Sequence, residues 1–278
     1  MSGAARAACS VSGWLVLGKA GACLSEEEYG SLGALAVESY ELRGEDGGLL
    51  LIRELPVAEA PAPKPQGAQA PGPAGAPELP AGMRLVSLRA HLAEAGPAEA
   101  ALACRAVHLT AFRRRTRFCP SCSARLEPAP VGTSLRCPAC GLEEFPRVSP
   151  AVIVLAERKG RILLARNARF QGGMHSLIAG FVEPGESFEE CAARELLEET
   201  GISAEDFRYS GSQPWPFPDS IMVGFRARAL EGSIRVDGRE ILEAGWFGPE
   251  AMPPIPRRGS IARRLIDGWL AERGFTTA

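Results

Sequence analysis

The sequence predicts an α/β protein: a C-terminal α/β domain preceded by a four-cysteine ribbon and an α+β N-terminal domain. Three observations carry this. Two Cys-Pro-x-Cys turns interrupt the chain at Cys119–Cys122 and Cys137–Cys140. Apolar strand-like runs follow from Ala151. A glutamate-rich helix then lies between glycines at Gly185 and Gly201. With 278 residues, the chain exceeds one ordinary domain, so separate cores are expected. The boundaries read as 1–112, 113–146 and 147–278.

Composition bounds the function. Apolar residues make up 46% and charged residues 23%, as in a globular protein that packs a core. A net charge of -2 argues against a protein whose main task is gripping nucleic-acid phosphates over a broad face. The run from Val11 to Leu17 is far too short to span a bilayer, so no membrane association is expected. Arg6 and the Ala20-Gly21-Ala22 triplet loosely resemble a signal peptide, but a buried strand is the better reading. Four cysteines have metal-ligand spacing and the other four are scattered, which points to a reducing compartment, the cytoplasm.

In the first domain, Trp14–Leu17 and Leu49–Ile52 read as short buried strands. From Ala58 to Gly82, 19 of 25 residues are Ala, Pro or Gly, which cannot offset its ordering entropy and reads as a flexible linker. Leu85–Ala93 and Ala98–Phe112 carry apolar residues near helical spacing.

In the ribbon, each short turn aims two sulfurs at one point, so Cys119, Cys122, Cys137 and Cys140 can present four thiolates to a single Zn²⁺. With no open position, such a zinc is structural. Arg113, Arg114, Arg115 and Arg117, just before it, could touch phosphate or RNA, but a solvated charged face is the preferred reading.

In the third domain, Ala151–Ala156 and Ile162–Ala165 read as a strand pair around a turn at Lys159-Gly160. Gly180 and Gly185 permit tight loop geometry, Ser187 caps a helix over Phe188–Thr200, and Gly201 ends it. On that helix Glu195, Glu198 and Glu199 stand at i, i+3 and i+4, with carboxylates on one face. Three repelling charges persist there if divalent cations lie among them, and oxygen ligands suit Mg²⁺ or Mn²⁺. Arg194 is placed to orient the carboxylates from behind. Such cations bridge phosphate oxygens and activate water, so pyrophosphate hydrolysis is the natural reaction. Downstream, the prolines of Gln213-Pro214-Trp215-Pro216-Phe217-Pro218 hold two aromatic rings in an extended segment that suits flat ligands, with a core-packing turn as the other reading of these residues alone. His175 and Cys191 read as structural and packing residues rather than chemical ones.

From Gly180 to Ile202 the segment resembles the Nudix box at every defined position, and residues 212–220 resemble the signature of NADH pyrophosphatases within that family. The resemblance is good from about Phe118 to the C-terminus and loose before Arg113. It implies an α/β/α sandwich that hydrolyses NADH or NAD⁺ to nicotinamide mononucleotide and AMP, with NAD-capped RNA as a further substrate. It implies Glu195 and Glu199 as principal metal ligands, Glu198 in the same cluster, the Ala179 carbonyl as a ligand, and Glu240 as a ligand from outside the box. Substrate contacts fall to Gln213, Pro214, Trp215, Pro216, Phe217, Pro218, Asp219 and Ser220. Phe145, where the family commonly has tyrosine, and the Ala262 backbone complete that set. Family members are commonly homodimers. Two alternatives stay open: another nucleoside diphosphate derivative (ADP-ribose, a nucleotide sugar, a dinucleoside polyphosphate) as substrate, and a non-catalytic zinc-ribbon binder of nucleic acid.

Overall fold

A computed structural model describes residues 5–9, 14–18, 22–36, 38–43, 49–55, 78–169, 172–236 and 238–276. Most of the segment expected as a linker, residues 58–77, lies outside the described residues. The described chain forms two units. One runs through Val148 and includes Pro216–Asp219; the other comprises Ser149–Trp215 and Ser220 onward.

The first unit opens with β1 (Ala5–Cys9), β2 (Trp14–Leu17), α1 (Glu26–Ser31), β3 (Glu38–Arg43) and β4 (Leu49–Glu54). Next come β5 (Arg84–Ser87), α2 (Leu88–Leu92) and α3 (Pro97–Arg115). The strands form one sheet in the order β3-β4-β1-β2-β5. Helix α3 starts at Pro97, where a missing N–H costs nothing. It buries Ala103, Val107 and Phe112, packing against β1, β2 and β4. The expected helix over Leu85–Ala93 is corrected: Arg84–Ser87 is a strand, with Leu15 opposite Val86. Sheet pairing outweighs helical spacing here, and Ser87, whose side chain accepts from the Ala90 amide, starts the helix only at Leu88.

The ribbon follows, with β6 (Glu127–Pro128), β7 (Leu135–Arg136) and β8 (Glu143–Glu144), each two residues long. Its buried cluster is Phe112, Cys119, Leu126, Leu135 and Cys137, too small a core to stand without a staple.

The second unit contains β9 (Ser149–Arg158), β10 (Arg161–Asn167), β11 (Ile178–Phe181), α4 (Phe188–Thr200), β12 (Ala204–Trp215), β13 (Ser220–Ala229), β14 (Ile241–Phe247) and α5 (Ile261–Ala271). The β9–β10 turn falls at Lys159 and Gly160, both at positive φ, the geometry that matches strand twist. The sheet order is β12-β13-β9-β10-β14, with β11 also on β9 and β13 parallel to β9. Strand alternation divides the apolar residues of β9 and β10 between two cores. Val152, Val154, Ala156, Leu163 and Ala165 pack with Cys191, Ala192 and Leu196 of α4. Ile153, Leu155, Ile162 and Leu164 pack with Ile261, Leu265, Ile266 and Trp269 of α5. The sheet lies between two helices, an α/β/α sandwich. No helix among the described residues is long and apolar enough to cross a membrane.

Trp269 is fully buried and Tyr209 is 64% exposed. In urea unfolding, Trp269→Ala is expected to cost about 3–5 kcal/mol, while Tyr209→Ala changes stability by no more than about 0.5 kcal/mol.

Candidate active site

Helix α4 is closed at both ends by local chemistry. The Ser187 hydroxyl accepts from the Glu190 amide at 3.2 Å and the Glu190 carboxylate accepts from the Ser187 amide at 2.7 Å, a reciprocal capping box. Gly201, at φ 70°, ends the helix with its N–H on Leu197 O, as a left-handed cap requires.

On this helix the guanidinium of Arg194 organises three carboxylates. Its Nε donates to Glu186 Oε1 at 2.5 Å, and its Nη2 to Glu186 Oε2 at 2.9 Å and to the Phe181 carbonyl at 3.1 Å. Its Nη1 donates to Glu195 Oε1 at 2.9 Å and Glu198 Oε2 at 3.1 Å. The Arg194 bonds, helped by the Glu183 amide, pull the Glu186 carboxyl down to about 2. Burial raises the pKa of Glu195, with Arg194 working against the rise. Glu198 is exposed and Glu199 buried.

Gly180 differs from its expected role. It is a strand residue opposite Val152, outside the positive-φ glycines, which do include Gly185. It is glycine because a Cβ there would overlap the Glu195 carboxylate. The missing side chain lets that carboxylate lie against β11, the strand that also carries Ala179.

The expected residues are not all brought together. Among the described residues, the four ribbon cysteines are the one set of three or more His, Cys, Asp or Glu groups whose ligand atoms lie within 4.8 Å of one another. Glu195 and Glu198 instead spread around Arg194, and Glu240 sits exposed ahead of β14, its carbonyl accepting from the Ala168 amide. Cation fit at α4 therefore rests on donor chemistry: hard carboxylate oxygens, one of them largely withdrawn from water above a glycine. Glu186 went unassigned in sequence reasoning, although its place in the motif was the available signal.

The substrate segment divides. Gln213, Pro214 and Trp215 end β12, and Trp215 pairs with Ser220. The Gln213 side chain donates to the Gly259 carbonyl at 2.8 Å. Phe217 is not extended as expected: residues 216–219 form the turn between β12 and β13, since a hairpin must reverse before Ser220 can pair. Within the first unit, which includes Pro216, Phe217, Pro218 and Asp219, the Arg89 guanidinium lies 4.0 Å over the Phe217 ring, a contact no sequence spacing signals. Phe145, also in the first unit, is 65% exposed, and the Ala262 side chain is buried in the α5 core.

His175 is buried, with Nδ1 2.9 Å from the Gly173 carbonyl and its ring edge-on to Phe247. Cys191 is buried, its thiol pushed up to about 11 by burial. Both are buried, the setting in which packing residues lie.

The ribbon sulfurs fit zinc. Cys119 and Cys140 Sγ lie 3.6 Å apart and Cys122 and Cys137 Sγ 3.4 Å apart, close to the ~3.8 Å edge of a tetrahedron with Zn–S of about 2.3 Å. The two turns repeat one backbone pattern. Ser123 N–H donates to Cys119 O and Cys119 N–H to Ala124 O; Gly141 N–H donates to Cys137 O and Cys137 N–H to Leu142 O. Ser123 and Gly141 both have positive φ. Amide donation, first from Cys140, brings the Cys137 thiol down to about 6, while hydrogen bonds among the sulfurs hold the Cys122 and Cys140 thiols up, so these sulfurs titrate as one group.

Comparison with known proteins agrees with this layout. Residues 146–268 match the NUDIX domain and residues 114–145 the NADH pyrophosphatase zinc ribbon domain. The chain is 47% identical over 162 residues to the NAD-capped RNA hydrolase NudC of Pseudomonas aeruginosa (strain LESB58), covering 58% of each chain. It is 42% identical over 192 residues to the protein of that name from Stutzerimonas stutzeri (strain A1501), covering 69% of this chain and 70% of the relative. For Salmonella heidelberg (strain SL476) the figures are 42% over 170 residues, 61% and 66%. The match thus spans less than two thirds of the Pseudomonas relative's length.

Removing the positioning groups is expected to weaken cation binding. Arg194→Ala and Gly180→Ala should each lower Mn²⁺ affinity by about 10- to 100-fold in calorimetric titration, with the far-ultraviolet dichroism of the fold retained.

Proposed function

The chain belongs to the Nudix hydrolase family, in the group whose catalytic domain follows an NADH pyrophosphatase zinc ribbon, and from that premise we propose that it hydrolyses the pyrophosphate of NADH or NAD⁺. Water is consumed and the products are nicotinamide mononucleotide, in the redox state supplied, and AMP. The observation that carries the reading is the Arg194 fork, which holds Glu186, Glu195 and Glu198 around one guanidinium beside Gly180. Removal of NAD caps from RNA is the same reaction with a chain attached, and it is the activity for which the curated relatives are named.

Glu195, Glu199, Glu240 and the Ala179 carbonyl would hold Mg²⁺ or Mn²⁺, with Glu198 in the same cluster. Divalent cations there neutralise phosphate charge and lower the pKa of bound water. The chain's own share is positioning. Arg194 restrains carboxylates that would otherwise repel one another. The Gln213 bond to Gly259 steadies the strand end that presents Trp215. Trp215 offers a dinucleotide ring a flat apolar face, with Pro214 limiting its freedom, and Gln213, Pro216, Phe217, Pro218, Asp219, Ser220, Phe145 and the Ala262 backbone are the further substrate contacts of the proposal. The ribbon zinc is structural. Domain limits of 1–112, 113–146 and 147–278, residence in the cytoplasm and assembly as a homodimer complete the proposal.

Mass spectrometry of NADH incubated with zinc-loaded protein and Mn²⁺ tests it. Equimolar reduced nicotinamide mononucleotide and AMP are expected. Glu199→Gln, which keeps size and removes charge, should slow their formation by about 10²- to 10³-fold. A folded protein that leaves both NADH and NAD⁺ intact would refute the assignment.

A further inference from the structure

A second cluster of guanidinium groups lies in the first unit, on residues that the hydrolase reading does not use. A cleft of about 180 Å³ is lined by Arg113 and Arg114 from the last turn of α3, by Arg117 and Arg125 from the first zinc turn, and by Glu38 and Glu127. Glu54, which is buried, lies 3.6 Å from Arg114 Nε. Glu127 stands across the ladder from Arg136, so a cation offsets it. Four arginines therefore line the cleft with two glutamates.

The zinc turn carries the two outer arginines at neighbouring ladder positions, and both line the cleft. Phe118 bridges Arg125, and the Leu126 amide donates to the Arg117 carbonyl at 3.0 Å. Both arginines are exposed, and among the described residues neither side chain makes an ion pair. Arg113, Arg114 and Arg115 also answer the negative C-terminal end of α3, whereas Arg117 and Arg125 lie beyond the helix. Planar guanidinium forks match the paired oxygens of an oxyanion. The volume is small beside the roughly 300–1,000 Å³ of sites that enclose whole ligands, and it suits a charged group rather than an entire nucleotide.

We propose that the Arg117–Arg125 cleft is an anion site, separate from the α4 carboxylates, that takes a phosphate group: a phosphodiester of a nucleic-acid backbone or free phosphate. The turn between Arg117 and Arg125 is the one that presents Cys119 and Cys122, so the site is expected to depend on the ribbon metal. The inference stands apart from the hydrolase reading, and its readout is binding.

The test uses the full zinc-loaded chain without added Mg²⁺ or Mn²⁺. Fluorescence anisotropy follows a labelled ten-nucleotide single-stranded RNA with a 5′-hydroxyl end over a range of salt concentrations, and calorimetry follows inorganic phosphate. In Arg117→Ala/Arg125→Ala the slope of log affinity against log salt should become shallower by about 1.4, two contacts at about 0.7 each. NADH turnover, measured separately with Mn²⁺, should stay at the wild-type level. Arg117→Lys/Arg125→Lys should keep the slope and lose part of the affinity. A loss seen with RNA supports the site with a backbone phosphate as ligand. A loss confined to the phosphate titration supports it with free phosphate. Equal RNA and phosphate binding in wild type and double alanine variant, or no binding by either, overturns it. Zinc content and thermal melting of each variant separate a lost site from a lost fold.

Discussion

The arrangement at α4 depends on one guanidinium. Arg194 makes five hydrogen bonds to three carboxylates and a strand carbonyl, and without it those acids would repel one another across the site. A bidentate fork fixes direction as well as charge, so Glu186, Glu195 and Glu198 share one anchor. The bond to Phe181 O fastens that anchor to β11. Gly180, one residue earlier, leaves the space into which the Glu195 carboxylate fits. Helix, loop and strand are thus joined through a single side chain.

That anchor needs a rigid platform, which β9 supplies. β9 lies inside the sheet, with β13 on one side and β10 and β11 on the other, and its alternate residues enter two different cores. α4 is held by one core and α5 by the other. Displacing β9 would disturb both, so the strand that registers Gly180 opposite Val152 is among the most constrained in its unit.

The ribbon solves a different problem. Strands of two residues and a five-residue buried cluster cannot offset the entropy of ordering the chain, and the repeated amide-to-carbonyl turns gather the thiols that a metal would cross-link. Arg117 and Arg125 flank the first of these turns and line one cleft, so local backbone chemistry shapes both a metal site and the charge beside it.

The sequence by itself determined what depends on near neighbours. The limits of α4 were legible because the capping box spans Ser187 to Glu190 and the end needs only Gly201. The zinc turns were legible because their spacing and turn residues are consecutive, and the two-sided burial of β9 because its apolar run is continuous. The acidic face was legible as three glutamates at helical spacing, but not the way Arg194 divides them. Only tertiary structure decided the features that rest on distant partners. Leu85 and Val86 joined a sheet because β2 offered an open edge. Phe217 moved from an extended segment into a turn because β13 had to pair from Ser220. Gly180 is glycine because of a carboxylate fifteen positions later. A pattern read along one dimension records local conformational preference, whereas excluded volume and sheet registry arise only when remote segments meet.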